Sequence, residues 1–298
     1  MDQGLSLSEE LQTIALLGYP IAHSISPTMH NAAFAALGLD FEYLAIDVAA
    51  HDLPAAIDRL RSGEWQGANV TIPHKQAVIE LLDALTESAA TLGAVNTIFR
   101  DGDQLIGDNT DLAGFLADLK ENTINFEGKP VLVFGTGGSA RAVAFALLQH
   151  GCEVRLLGRN VRVGAQLAGD IHCATGGGVL NVDWTPIDLG EASQGCVLAV
   201  NCTPLGMTPD IHSTPWFPVV PFPTGMFIYD LVYNPPVTKL VHQAHSHKLQ
   251  GTGGLGMLVQ QGALAFERWT GQKPSLHIMR AAAASDLHVR SEQQLEAP

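Results

Sequence analysis

Residues 130–147 read Pro-Val-Leu-Val-Phe-Gly-Thr-Gly-Gly-Ser-Ala-Arg-Ala-Val-Ala-Phe-Ala-Leu, and few folds accommodate an apolar run, a glycine turn and a helical repeat in that order. Val131 to Phe134 suits a buried parallel strand, after which Ala140, Val143, Ala144 and Leu147 recur at helical spacing. Gly135 and Gly137 with Ala140 spell the G-x-G-x-x-A dinucleotide fingerprint. The first glycine makes a tight turn, the second lets the backbone approach a pyrophosphate, and the small third residue packs helix against strand. Thr136, Gly138 and Ser139 complete the turn, and the N–H groups opening the helix face the anion. A merely flexible glycine turn would share the glycines but not the flanking strand and helix. The stretch is therefore read as a nucleotide-binding strand–turn–helix unit.

The remaining chain alternates strands and helices on both sides of this unit. Residues 13–18 read as a first strand, and Pro27 suits the first turn of a helix running to about Leu37, with Ser26 as its N-cap. A strand over 41–46, a helix over 53–60 and a strand over 68–72 follow, and a helix is expected from about Lys75 to Leu85. Residues 97–100 and 105–107 form a hairpin across Asp101-Gly-Asp. A helix over 112–120 then leads to a second block, with strands or helices at 131–134, 140–149, 153–157, 160–168, 197–201 and 226–232. From Gly253 the pattern is helical, with Leu255, Leu258, Val259, Gly262, Ala265, Phe266 and Trp269 in one stripe. A second helix covers about 274–285, and Ser291 to Pro298 reads as a frayed polar tail. The pattern predicts an α/β fold with a first domain over 1–111, a doubly wound second domain over 112–252, and C-terminal helices over 253–298.

Charge and cysteine usage narrow the partners. With 16 Lys and Arg against 30 Asp and Glu, the net charge of −14 gives no basic footprint for nucleic acid. No apolar run approaches membrane-spanning length, and Met1 to Glu10 lacks the basic and apolar regions of a secretory leader. Cys152, Cys173, Cys196 and Cys202 show neither a C-x-x-C pair nor a disulfide framework, as in a reducing cytoplasm. His242, His245 and His247 cluster, but no nearby carboxylate or thiol completes a ligand set, so they read as helix-surface histidines and no metal is expected.

The second strand of a dinucleotide domain commonly ends in an acid that holds a ribose 2′-hydroxyl. Here Glu153 opens that strand, and its far end is Gly158-Arg159-Asn160-Val-Arg162. Guanidinium matches phosphate in charge and shape, whereas helix N-termini disfavour cations. Arg159, with Asn160 beside it and Arg162 beyond, therefore points to a 2′-phosphate and to NADP rather than to two solvated arginines. In the first block, Ser24, Ser26, Asn69, Thr71, Lys75, Asn96 and Asp111 all follow or close apolar strands, where ligands of open α/β sheets bind. Each has a plain explanation alone: a cap, a turn, a solvated lysine. Together they suit a small anionic molecule rich in hydroxyls, and a Lys with an Asp beside a nicotinamide suits carbonyl–alcohol interconversion.

Seven motifs carry a resemblance to the shikimate dehydrogenases. They are the stretches 18–31 (Gly-Tyr-Pro-Ile-Ala-His-Ser-Ile-Ser-Pro-Thr-Met-His-Asn), 69–75 (Asn-Val-Thr-Ile-Pro-His-Lys), 93–97 (Gly-Ala-Val-Asn-Thr) and 107–111 (Gly-Asp-Asn-Thr-Asp), then 201–207 (Asn-Cys-Thr-Pro-Leu-Gly-Met), 230–235 (Asp-Leu-Val-Tyr-Asn-Pro) and 254–262 (Gly-Leu-Gly-Met-Leu-Val-Gln-Gln-Gly). The resemblance implies NADPH-dependent reduction of 3-dehydroshikimate to shikimate in aromatic amino-acid biosynthesis. It implies an N-terminal substrate domain, a Rossmann-type NADP domain with a cleft between them, and C-terminal helices returning to the first. Ser24 and Ser26 would hold the substrate carboxylate with Tyr233 nearby. Asn69, Thr71, Asn96, Asp111 and Gln261 would bind ring hydroxyls, and Lys75 with Asp111 would form the catalytic pair. For the cofactor the likeness points to Gly135, Thr136, Gly137, Gly138, Ser139, Ala140, Arg159, Asn160, Thr203, Leu231 and Gly254. Such enzymes often carry Asn-Arg-Thr and a further Arg after the second strand, where this chain has Gly158-Arg159-Asn160 and Arg162 one position early. A monomer or homodimer acting on a small molecule is expected. The rivals are a quinate/shikimate enzyme with relaxed substrate or NAD use, and a non-catalytic NADP or metabolite sensor.

Overall fold

The computed structural model describes residues 11–296, with side chains through Arg290. Met1 to Glu10, read above for a leader, lie outside the described residues, as do Ala297 and Pro298 of the expected tail. The chain separates into two compact units: residues through Asn109 with Gly262–Asp286, and Thr110–Gln261 with the stretch from Leu287. These units divide the 253–298 block that the sequence reading kept whole.

The first unit carries β1 (Gln12–Gly18), α1 (Ser26–Leu37), β2 (Phe41–Asp47), α2 (Leu53–Arg61), β3 (Trp65–Val70), β4 (Ala84–Leu85), α3 (Glu87–Leu92), β5 (Thr97–Asp101) and β6 (Gln104–Asp108). Its sheet runs β2-β1-β3-β5-β6-β4. β1 is parallel to β2 and β3, while β5 is antiparallel to both of its neighbours. Ala15, Leu17, Ala68, Val70, Ile98 and Leu105 of the strands share one core with Leu53, Ile57 and Leu60 of α2. Each fully buried large aliphatic side chain there contributes about 1.5–3 kcal/mol over exposure.

Two local expectations are corrected. The stretch from Lys75 to Leu85 is not a helix: it holds a short 3₁₀ segment over Ala77–Leu81 and then β4. Its backbone is bonded to the sheet instead, with Val95 N–H donating to the Lys75 carbonyl (2.7 Å), Asp83 N–H to Leu105 (3.0 Å) and Thr86 N–H to Gly107 (2.9 Å). Leu82 and Leu85 lie over Gly107, where a Cβ would come within 2.7 Å of one and 2.8 Å of the other. Ser26 is the first residue of α1 rather than its N-cap, which is Ile25 without a side-chain cap bond. The Ser24 hydroxyl serves that turn, accepting from Ser26 N–H at 3.2 Å.

The second unit carries α4 (Asp111–Glu121), β7 (Pro130–Phe134), α5 (Gly138–Gln149), β8 (Glu153–Gly158), α6 (Val161–Thr175), β9 (Val179–Asp183), α7 (Pro186–Ala192), β10 (Leu198–Asn201), β11 (Phe227–Asp230), α8 (Lys239–Ser246) and β12 (Gly251–Thr252). α9 (Leu255–Thr270) and α10 (Leu276–Glu296) close the chain, so helix continues through most of the segment expected to fray. The strands run β12-β11-β10-β7-β8-β9, all parallel. Numbered within the unit, this is the 3-2-1-4-5-6 order of a doubly wound dinucleotide fold. Val131 and Val133 of β7 join one core with Val143 and Leu147, and Leu132 and Phe134 join another with Trp216 and Leu240. A strand buried on both faces reads as a continuous apolar run. β9, α7 and β12 are additions to the sequence reading, and α8 carries His242 and His245, read above as helix-surface histidines.

Gly262–Asp286 belongs to the first unit through aromatic contacts. Trp269 lies against Gly67, where a Cβ would come within 2.4 Å of the indole, and its N–H donates to the Ile98 carbonyl at 3.0 Å. Arg268 pairs with buried Asp108 at 2.9 Å. His30 is fully buried, stacked on Tyr43 at 4.4 Å and near Phe266 and Trp269. Neither of its ring nitrogens has a hydrogen-bond partner. Burial lowers its pKa to about 3, so between pH 6.5 and 3 the unfolded chain takes up a proton that the folded chain refuses. This contribution is present above pH 6.5 and is lost as pH falls. Urea titrations should show the wild type losing about 2 kcal/mol more stability than His30→Phe between pH 7 and pH 5. Parallel losses in the two proteins would show that His30 does not stay neutral in the fold.

Candidate active site

Strand register gathers the polar residues of the first unit at one edge of its sheet. Leu16 pairs with Asn69, Asn69 with Thr97, and Thr97 with Asp108. The edge therefore consists of the ends of β1, β3 and β6 and the start of the antiparallel β5. Ser24 and Ser26 leave β1, Thr71 and Lys75 leave β3, and Asn96 precedes β5. Thr71 N–H donates to Leu17 O, and the Lys75 carbonyl is tied to Val95, next to Asn96.

Hydrogen bonds link these side chains into a chain. The Tyr43 hydroxyl donates to Asn69 Oδ1 at 2.8 Å. Asn69 Nδ2 donates to the Asn96 carbonyl at 2.9 Å and to Thr97 Oγ1 at 3.1 Å, and Thr97 Oγ1 donates to Asn96 Oδ1 at 2.9 Å. The carbonyl can only accept, which fixes the orientation of the Asn69 amide. Both amide hydrogens are thereby used, leaving Asn69 an acceptor toward any further group. Ser26, Asn69 and Asn96 are all buried. Burial pushes the Tyr43 hydroxyl's pKa well up, opposed by the Ser26 side chain. Tyr43 is the residue the sequence reading missed: it sits mid-strand in β2, and only a buried tyrosine's need for a partner hints at its role.

Asp111 opens α4, three residues beyond the end of β6, and belongs to the second unit with Tyr233 and Gln261. Burial raises the pKa of Tyr233, with Arg290 opposing the shift. Gln261 Nε2 donates to the Leu258 carbonyl at 3.0 Å, and the Thr110 hydroxyl donates to Gln261 Oε1 at 3.3 Å. Close packing fixes this helix, since a Cβ on Gly114 would meet the Gln261 backbone at 2.7 Å.

In the second unit the carboxyl ends of β7, β8, β10 and β11 carry the expected cofactor residues. Gly135 has φ +111°, and its Cβ would stand 3.2 Å from the Cys202 carbonyl, so glycine is required at this turn. At Gly137 and Gly138 an added Cβ would meet nothing within 4 Å, and α5 begins there without a side-chain cap. That open cradle at a twelve-residue helix suits a pyrophosphate. Ala140 is buried against the strand. Arg159 is exposed at the end of β8, and Asn160 caps α6 by accepting from Arg162 and Val163 N–H groups. Asn201 holds the next loop: its Oδ1 accepts from Thr203 N–H (3.0 Å) and Oγ1 (2.7 Å), and its Nδ2 donates to Asp230 (2.8 Å). Burial pushes the Asp230 carboxyl up to about 6, against bonds from Thr238, Val232 and Asn201. Gly254 packs on Leu231, whose carbonyl a Cβ would strike at 2.0 Å. These residues fit a dinucleotide.

Surface hollows of about 440 and 410 Å³ lie at the amino ends of the strands, beside Glu153 and Arg155 in one case and Val197 and Phe227 in the other. Neither borders the glycine turn. Among the described residues no group of three His, Cys, Asp or Glu side chains could hold a metal. No helix there is long and apolar enough to cross a membrane.

Comparison with known proteins decides the family. Residues 16–98 match the shikimate dehydrogenase substrate binding domain, and residues 254–284 the shikimate 5′-dehydrogenase C-terminal domain. A shikimate dehydrogenase (NADP(+)) of Carboxydothermus hydrogenoformans is 42% identical over 282 residues, covering 93% of this chain and 98% of that protein. The chain belongs to the shikimate dehydrogenase family. A crystal structure of a shikimate dehydrogenase in complex with NADP+ superposes with a TM-score of 0.89 at 35% identity, covering 96% of this chain and 99% of the other. The Thermus thermophilus shikimate 5-dehydrogenase in complex with NADP(H) and shikimate gives 0.83 at 37% identity, covering 92% and 99%.

Within this family member the Tyr43–Asn69 link is buried, and breaking it leaves the Asn69 amide oxygen unpaired. Tyr43→Phe should lower the unfolding free energy by about 1–3 kcal/mol in urea titration. A change below about 0.5 kcal/mol would mean that Asn69 finds another partner and the link is dispensable.

Proposed function

We propose that this chain catalyses the reversible NADPH-dependent reduction of 3-dehydroshikimate to shikimate, a step of aromatic amino-acid biosynthesis. The observation that carries the reading is the 42% identity spanning 98% of a relative named as an NADP(+)-dependent shikimate dehydrogenase. The first unit supplies most of the substrate contacts, and the second binds the dinucleotide and adds Asp111, Tyr233 and Gln261 to the substrate. Four free cysteines, with no disulfide framework, suit a cytoplasmic enzyme, acting as a monomer or homodimer.

In this reading Ser24 and Ser26 hold the substrate carboxylate with Tyr233. Asn69, Thr71, Asn96, Asp111 and Gln261 take the ring hydroxyls. Asn69, with both amide hydrogens already donated, receives the hydrogen of a ring hydroxyl. Bound NADPH supplies the hydride for the carbonyl carbon. Lys75 donates a proton to the oxygen at that carbon during reduction and removes it from the alcohol in reverse, and Asp111 stabilises the charged lysine.

Lys75→Ala should lower kcat on the order of 10²-fold or more while shifting KM for shikimate far less. A kcat near wild type would remove Lys75 from the proton transfer. Asp111→Asn separates charge from hydrogen bonding: an unchanged rate would leave Asp111 a binding role alone. Arg159→Ala should weaken NADPH binding and spare NADH, and equal losses for both would show that Arg159 does not meet the 2′-phosphate.

A further inference from the structure

The end of β8 and the turn after β7 meet at a pair of positions that act on each other. Gly135 N–H donates to the Leu157 carbonyl at 2.8 Å, which draws the turn against the strand end. A Cβ at Gly158 would lie 2.4 Å from the Thr136 methyl and 3.6 Å from its hydroxyl. The space that any side chain at 158 would enter is therefore occupied by Thr136. Threonine is stiff about χ1, so relief of such a contact requires a turn to another rotamer, and that turn carries the hydroxyl with it.

The surroundings fit a phosphate monoester. In a doubly wound domain this strand end holds the ribose 2′ position. No carboxylate pairs with the Arg159 or Arg162 guanidinium among the described residues, and the half-buried Thr136 hydroxyl has no protein partner. A free hydroxyl beside the bare position 158, with exposed Arg159 next in the chain, makes a site short of an anion. The geometry points to Thr136 and Gly158 as one coupled determinant of NADP recognition: the Thr136 hydroxyl donates to the ribose 2′-phosphate, and the bare position 158 keeps that hydroxyl in its rotamer. This rests on the NADP reading above and adds to it the residues that complete the phosphate contact.

The test is direct binding of NADPH and of NADH to the purified protein by isothermal titration calorimetry. The variants are Thr136→Val, Thr136→Ser, Gly158→Ala and the double variant Thr136→Ser/Gly158→Ala. Thr136→Val keeps the shape and removes the donor, so it should weaken NADPH binding about tenfold and leave NADH within twofold. Thr136→Ser keeps the donor and should stay near wild type. Gly158→Ala should weaken NADPH as much as Thr136→Val does, and the double variant, freed of the methyl, should return to within about threefold of wild type. Equal weakening of both dinucleotides by Thr136→Val, or none, overturns the hydroxyl's role. An equal cost of Gly158→Ala with and without Thr136→Ser overturns the coupling. Thermal melts identify any variant that does not fold, and the Thr136→Val arm decides the hydroxyl's role even if Gly158→Ala does not. Wild-type protein binding NADPH no more tightly than NADH would contradict the underlying cofactor reading, an outcome distinct from failure at Thr136 alone.

Discussion

Val131 pairs in parallel register with Val154 on one side and Leu198 on the other, and the placement of the expected cofactor residues descends from that arrangement. Parallel strands send their carboxyl ends to a single edge. The Gly135 turn, Arg159, Thr203 and Leu231 follow four such strands and leave the sheet together. Helices on both faces are the necessary counterpart, since parallel strands are joined by crossovers and buried on both sides. The separate cores around Val133 and Phe134 are those two faces. The same logic serves the first sheet with one change. Its β5 runs antiparallel, so Asn96 reaches the polar edge from the start of a strand rather than its end.

Close backbone approach and buried polar pairing then sharpen what topology positions. Gly135 and Gly254 stand where a side chain would strike a carbonyl. Asn201 and Asp230 close two adjacent strands and use their side chains to hold the following loops, so Thr203 is fixed by two bonds to one amide oxygen. In the first unit the Tyr43–Asn69 link plays the corresponding part. Such networks hold their members in one arrangement because an unmade bond in a buried setting costs more than a made one contributes.

The sequence made the second domain legible because its signals are local: an apolar run, a glycine turn and a helical repeat lie within eighteen residues. The polar edge of the first unit is legible for a related reason, since Asn69 interrupts an apolar strand, Ser26 follows one and Asn96 precedes one. What escaped depends on distant partners. Val78, Ile79, Leu82 and Leu85 fit a helical period, yet the backbone from Asp83 to Thr86 is tied to β6, and nothing local reveals a strand twenty residues ahead. β3 starts at Trp65, earlier than alternation suggested, and its Gly67 is covered by Trp269 from the far end of the chain. β9 carries no clear strand signal, because its residues are only partly buried or exposed and include Asn181 among the apolar ones. Tyr43 looked like an ordinary strand residue, because its partner Asn69 is twenty-six positions away.

Substrate and cofactor preference are read most directly from what the chain turns over. Initial rates with shikimate and with quinate, each paired with NADP and with NAD, give four values of kcat/KM from one preparation. The account predicts that shikimate with NADP exceeds each of the other three pairs by at least about tenfold. A preference for quinate or for NAD, or no turnover of any pair, would contradict it.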